Sequence, residues 1–239
     1  MLNKKTIDVL NTIQGIGADE KSNKITISYP ITYVKSVSGD ILINYDIRST
    51  EIGEFDNIPI YNLNNFLNTF KLFNDDRVVK RNGKVISISD GSAQANFLLS
   101  DPELIPFNDF QSIFKTTCES ANVSEFSLSK ESLKSLRNAS GVFKELDKYV
   151  FKTTENGINI SLAAKNSFNQ QSNSYSVSFI SQTEKEFDVA LPVNNLNMLP
   201  VSDYKVSIKY NSVRDQYRLL MESTELENFK IILSFENLK

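Results

Sequence analysis

Apolar positions along the chain follow two periods in turn, and their alternation predicts its elements. Ile7, Leu10 and Ile13 recur at three-residue spacing among Lys4, Lys5, Asp8 and Asn11, and Asn3 is placed to cap a short amphipathic helix reaching about Gln14. After Gly15-Ile16-Gly17 the period drops to two. Lys24 to Tyr29, Thr32 to Val37 and Asp40 to Ile47 read as strands, broken by Pro30 and the turn signal Ser38-Gly39-Asp40. Leu63, Phe66, Leu67 and Phe70 then give the i, i+3, i+4, i+7 series of a second helix, whose other face is Asn64, Asn65, Asn68 and Lys71. Strand alternation returns at Asp76 to Lys80, Lys84 to Ser89 and Gln94 to Leu99, with Asn82-Gly83 and Asp90-Gly91 as turn signals.

From Asp101-Pro102 to about Ala121 no clean period holds, and this stretch reads as a linker carrying apolar side chains. The first scheme then restarts. Val123 to Leu128 alternates as a strand, and Ser129 caps a helix reaching about Phe143, with Leu128 and Leu133 placed as a hydrophobic staple. Four strands follow, at Tyr149 to Thr153, Ile158 to Ala163, Tyr175 to Ile180 and Lys185 to Leu191. A short helix from Val193 ends before Pro200, and strands at Tyr204 to Tyr210, Gln216 to Glu222 and Phe229 to Phe235 close the chain. A repeat this long means duplicated domains, because solenoid units run to roughly 20–50 residues. The expected organisation is two similar α+β domains, residues 1–103 and 122–239, joined by a connector at 104–121. In each, a helix pair packs on a predominantly antiparallel sheet.

Composition narrows the chemistry. The 239 residues contain no histidine and one cysteine, Cys118, so imidazole acid–base catalysis, Cys/His pairs, His- or Cys-rich zinc sites and intrachain disulfides are all excluded. Asp75-Asp76 lacks a third spaced carboxylate, and neither metal nor cofactor is expected. No apolar signal core follows Met1 and no run approaches a membrane span, so the expected compartment is the cytoplasm (the host cytoplasm if the protein is phage-encoded), with no membrane partner. A formal charge of −3 predicts no bulk affinity for nucleic acid, which leaves the distribution of charge as the informative quantity. Lys130, Lys134 and Arg137 fall at i, i+4 and i+7, with Lys144 one further seven-residue step on, all within an arc of about 80°. They predict one basic stripe, either an ordinary solvated helix face or a surface that meets phosphates without reading bases.

Several short segments carry a resemblance. Tyr61-Asn62-Leu63-Asn64-Asn65-Phe66-Leu67, Leu72-Phe73-Asn74-Asp75-Asp76, Ile86-Ser87-Ile88-Ser89-Asp90 and Leu99-Ser100-Asp101-Pro102 resemble, in order and spacing, the first domain of the sliding clamps of large tailed bacteriophages, within the PCNA-like clamp superfamily. Asn194-Asn195-Leu196-Asn197-Met198-Leu199-Pro200, Asp203-Tyr204-Lys205 and the terminal strands resemble their closing segment. The resemblance implies a non-enzymatic homotrimeric ring of six domains whose helices line a central hole. Double-stranded DNA passes through the hole, a replicative DNA polymerase is tethered, and an ATP-driven clamp loader opens the ring. It implies DNA contact by Lys4, Lys5, Lys71, Lys130, Lys134, Arg137 and Lys144. It also implies a pocket for partner peptides formed by Leu104, Ile105, Phe107 and Phe110 of the connector with Tyr217, Leu233 and Phe235 of the C-terminal strands. The plainer role for the connector side chains is to cover the junction between sheets. A β-rich virion structural or adaptor protein is the main alternative, and a carbohydrate-processing enzyme working through paired carboxylates a third.

Overall fold

Strand pairing and packing divide the chain into two units, Met1–Gly39 with Ile43–Phe110, and Asp40–Leu42 with Gln111–Lys239. The structure is a computed structural model and describes residues 7, 10, 11, 13, 14, 25–27, 31–35, 40–46, 57–105, 110–164, 173–226 and 228–237.

In the first unit Ile7, Leu10 and Ile13 are helical and buried. Strands β1 (Ile25–Ile27), β2 (Ile31–Lys35), β3 (Ile41–Asp46) and β4 (Ile58–Ile60) follow, then α1 (Leu63–Phe70) and the strands β5 (Val78–Asn82), β6 (Val85–Ser89) and β7 (Gln94–Leu98). β1 and β4 pair antiparallel, Ile25 opposite Ile60. α1 begins where Asn62 Oδ1 accepts the Asn65 N–H at 2.9 Å, which satisfies one of the amides that a helix start leaves open. Its apolar stripe, Leu63, Phe66, Leu67 and Phe70, is buried, and the Phe66 ring meets Phe70 and Phe97 edge-on at 5.0 Å each. β5, β6 and β7 form an antiparallel meander. The turn signal at Asn82-Gly83 is real but one residue displaced. Asn82 pairs with Val85, so Gly83-Lys84 forms the loop, and a positive φ at Gly83 alone (58°) fits the II′ hairpin pattern.

The second unit repeats the order. It comprises α2 (Gln111–Glu119), β8 (Ala121–Leu128), α3 (Lys130–Val142), β9 (Lys148–Thr154), β10 (Gly157–Ala163), β11 (Ser176–Ile180), β12 (Asp188–Pro192), α4 (Val193–Asn197), β13 (Tyr204–Asn211), β14 (Gln216–Ser223), β15 (Phe229–Ser234) and β16 (Glu236–Asn237). One antiparallel sheet runs β11-β10-β9-β12-β16, and β15-β14-β13-β8 run side by side in a second. At Gly157 the neighbouring strand approaches so closely that a Cβ would lie 2.1 Å from the Phe179 carbonyl oxygen, so only glycine fits.

Two expectations are corrected. The stretch read as a linker contains α2, preceded by a 3₁₀ turn at Pro102–Leu104. The helical period is hidden because the residue that follows Phe114 into the core at i+3 is Thr117, whose hydroxyl donates to the Ile113 carbonyl at 2.8 Å. The last strand also stops early. β15 ends at Ser234, and the chain crosses at Phe235 to pair β16 with β12.

Candidate nucleic-acid interface and partner surface

α3 is the longest described helix and carries the expected basic stripe. Ser129 Oγ accepts the Ser132 N–H at 3.1 Å, and the Lys130 N–H donates to Asp203 Oδ1 at 2.6 Å, so two open amides of the first turn are satisfied. Leu133, Leu136, Ala139 and Ser140 face the core. The four cations do not form one solvated stripe. Arg137 turns inward, its Nη2 donating to the carbonyls of Leu196 at 2.8 Å and Leu199 at 2.6 Å, at the end of α4. A guanidinium suits that place because carbonyls at a helix C-terminus carry partial negative charge. Burial pulls the Arg137 pKa down, and its Nε has no partner. Lys130 Nζ lies 3.3 Å from Glu225 Oε1. Lys144 lies beyond the end of α3, in an exposed turn. Lys134 is exposed and is the one α3 cation with neither an ion pair nor a hydrogen bond among the described residues.

The polar side of the α3–α4 pair is instead a closed network. Tyr149 Oη donates toward the Leu136 carbonyl (3.1 Å) and Asn197 Oδ1 (3.0 Å), Asn197 Nδ2 donates to Ser140 Oγ (3.0 Å), and Ser140 Oγ donates to the Arg137 carbonyl (2.8 Å). Burial raises the Tyr149 and Tyr204 pKa values, and nearby Arg137 opposes the rise. Arg137 is therefore a residue that joins two helices.

α1 offers a different face. Gln14 Nε2 donates to Asn64 Oδ1 at 2.9 Å, Asn68 Nδ2 donates to the same oxygen at 3.0 Å, and Lys71 Nζ donates to Asn68 Oδ1 at 3.0 Å. Lys71 is exposed at the C-cap. Lys4 and Lys5 lie outside the described residues.

The expected partner pocket is redistributed too. Leu104 is 61% exposed and Phe110 half-buried, whereas Ile105 is buried and Phe107 lies outside the described residues. Leu233 is fully buried, and Phe235 packs on Phe151 with centroids 5.1 Å apart. Ile105, Leu233 and Phe235 are thus core residues, a correction whose cause in β15 is plain: Ile231, Ile232 and Leu233 are buried consecutively, so the strand is covered on both faces and alternation does not apply. Tyr217 is half-buried and belongs to a cluster that sequence reasoning missed. Its ring lies 4.7 Å from Tyr210 and 5.9 Å from Phe187, and Lys185 Nζ sits 3.6 Å from the centre of the Tyr210 ring. Beside Tyr210, a hollow of about 330 Å³ is lined by Thr116, Glu119, Ser120 and Asn211 among others. Arg218 ties α2 to this surface, donating to Thr117 Oγ1 at 2.7 Å.

No protein-family model matches the chain, and no curated protein does. Solved structures do. Proliferating cellular nuclear antigen of Entamoeba histolytica superposes with a TM-score of 0.64 at 12% identity, over 96% of this chain and 94% of that one. A. fulgidus PCNA, solved with the C-terminal region of FEN-1 bound, gives 0.63 at 14%, over 98% and 97%. The Helicobacter pylori beta clamp bound to a DNA ligase peptide gives 0.63 at 11%, over 98% of this chain, which spans 64% of the clamp. The chain has the two-domain DNA-clamp fold: two similar α+β units in one polypeptide.

Proposed function

We propose that the chain is the subunit of a sliding clamp, a ring that encircles duplex DNA, tethers a replicative polymerase to its template and performs no catalysis. The observation that carries this reading is the duplicated fold, matched over nearly the whole of this chain and of two PCNA chains. The helix pair of each unit is proposed as the DNA-facing element, with Lys71, Lys134, Lys144 and, once released from Glu225, Lys130 as its phosphate contacts, and Lys4 and Lys5 as further ones. The contacts are with phosphates and independent of sequence, which lets a ring slide. An ATP-driven loader opens the ring.

Ring closure needs open sheet edges, and the two units offer a matched pair. Among the described residues β7 is an edge of the β5-β6-β7 sheet and carries no charge, whereas the opposite edge, β5, carries Lys80 and Arg81. Charged edges resist pairing. β11, an edge of its sheet among the described residues, is also uncharged, and Leu98 and Ile180 at the ends of these strands are 71% and 93% exposed. Head-to-tail pairing of β7 in one copy with β11 in the next, three times over, gives a closed homotrimer. Two of the clamps above hold a DNA ligase peptide and the FEN-1 C-terminal region. By analogy, Leu104, Phe110 and Tyr217 are proposed to receive such peptides, the polymerase's among them.

The test is topological. Light scattering on a size-exclusion column gives a trimer at micromolar concentration, and protein assembled on a nicked circular plasmid co-elutes with it until a restriction enzyme linearises the circle. A stable monomer, or retention that survives linearisation, overturns the reading.

A further inference from the structure

We infer that the outward side of α1 contacts the phosphodiester backbone of duplex DNA through amide N–H groups, with Gln14, Asn64, Asn68 and Lys71 as one donor array. The partner rests on the clamp reading above; the array rests on hydrogen-bond geometry. Asn64 Oδ1 accepts from both Gln14 and Asn68, which fills its two lone pairs, and Asn68 Oδ1 is engaged by the Lys71 ammonium. The amide oxygens of Asn64 and Asn68 are therefore turned into the ladder. What the ladder leaves unused is mostly N–H: both hydrogens of Asn64 Nδ2, the second of Asn68 Nδ2 and of Gln14 Nε2, and the remaining hydrogens of Lys71 Nζ, against one amide oxygen, Gln14 Oε1. A surface richer in donors than in acceptors suits a ligand that only accepts, and phosphate oxygens only accept.

Three further observations favour this. α1 has no acidic residue to repel a phosphate. The ladder satisfies no backbone group, since Asn62 already caps the helix start, and its Asn64–Asn68 pair at i, i+4 gives the helix only slight support. The cation lies at one end of the ladder, where its bond to Asn68 Oδ1 polarises the Asn68 N–H outward. Neutral donors also explain how a clamp with few free cations on its described helices holds DNA: hydrogen bonds from amides add affinity without releasing counterions.

The experiment measures anisotropy of a short fluorescein-labelled duplex titrated with wild type, with Asn64→Ala/Asn68→Ala and with Lys71→Met, over a range of salt concentrations. The amide variant is expected to bind roughly threefold to tenfold more weakly at every salt concentration, with an unchanged slope of log affinity against log salt. Lys71→Met is expected to flatten that slope by roughly 0.9 for each phosphate that the lysine neutralises. Asn68→Asp keeps the shape and the Lys71 bond while exchanging donor for acceptor, and serves if the alanine variant melts early; it too must weaken binding. Wild-type affinity in the amide variants overturns the array, as does displacement of the duplex by inorganic phosphate at matched ionic strength, which would assign the ladder to a free anion. Failure of wild type itself to bind the duplex or to stay on the circular plasmid overturns the clamp reading, a separate result.

Discussion

α1 in the first unit and α3 in the second each bury one apolar side, yet their polar sides handle charge in opposite ways. α1 has eight residues and no charged side chain, and its polar side is built from amides with one lysine at the end. α3 has thirteen residues and carries Lys130, Glu131, Lys134 and Arg137, but Arg137 is used to hold α4 and Lys130 faces Glu225. The helix that looks basic in sequence thus leaves one uncommitted cation, and the helix that looks neutral leaves a row of donors. A count of charges along a helix measures what is present; the acceptors on neighbouring elements decide what remains for a partner.

Arg137→Met breaks this comparison most severely. It removes two hydrogen bonds from a cation to buried carbonyls and leaves Leu196 with a long backbone bond from the Leu199 N–H, which costs about 2–4 kcal/mol and lowers the melting temperature accordingly. Arg137→Lys is expected to restore part of the loss, because both bonds come from the one nitrogen Nη2 and an ammonium also carries several donors, though on a shorter side chain. Lys134→Met, three residues away, is expected to change stability by no more than about 0.5 kcal/mol. Equal melts for the Arg137 and Lys134 variants would return Arg137 to the solvent-facing stripe.

The edges give the next largest effect. Leu98→Lys on β7 or Ile180→Lys on β11 is expected to weaken ring association at least tenfold, about 1.4 kcal/mol per interface, with the monomer melt unchanged. Light scattering across a dilution series reads this directly. A trimer that ignores both variants places the contact between copies elsewhere.

The parts of this fold that were legible from sequence are those set by neighbours along the chain. Ser129 capping α3, the Leu128–Leu133 staple with both residues buried, and the buried series Leu63, Phe66, Leu67 and Phe70 are all local decisions. The parts that were not legible depend on what a distant segment supplies. Periodicity placed Arg137 beside the apolar stripe, but only the carbonyls of Leu196 and Leu199 decide that it turns inward. Thr117 fills a core position with a hydroxyl, so α2 had no apolar period to find. Leu233 and Phe235 were assigned to a pocket because the resemblance implied it, and alternation could not correct this where a strand is covered on both faces. The Lys185–Tyr210–Tyr217 cluster draws on three separate elements, and no spacing along the chain announces it.

Lys134→Glu tests the one cation that α3 leaves free. If it faces phosphate, the variant flattens the salt dependence of duplex binding by roughly 0.9 for each phosphate involved and adds repulsion that is strongest at low salt. The melt and the trimer mass are expected to stay unchanged. A variant that binds with the wild-type slope would leave the amide array of α1 as the main contact on the described helices.

The mildest change sharpens the comparison from the other side. Glu225 is the carboxylate that compensates Lys130, and both side chains are more than a third exposed, so their pairing contributes only about 0.2–1 kcal/mol. Glu225→Gln keeps the size of the side chain and removes its charge. The start of α3 is untouched, because the Lys130 N–H is held by Asp203 and Ser129 still caps the helix. The melt is therefore expected to fall by no more than that small amount. The freed Lys130 ammonium becomes available to phosphate beside Lys134, so duplex binding is expected to tighten and its salt slope to steepen by roughly 0.9 for one more phosphate neutralised. Combining Glu225→Gln with Lys130→Met cancels the tightening if Lys130 is its source. Tightening that persists in the double variant would mean that Glu225 itself repels the DNA, and the compensation on α3 would then be a property of the whole face and not of one pair.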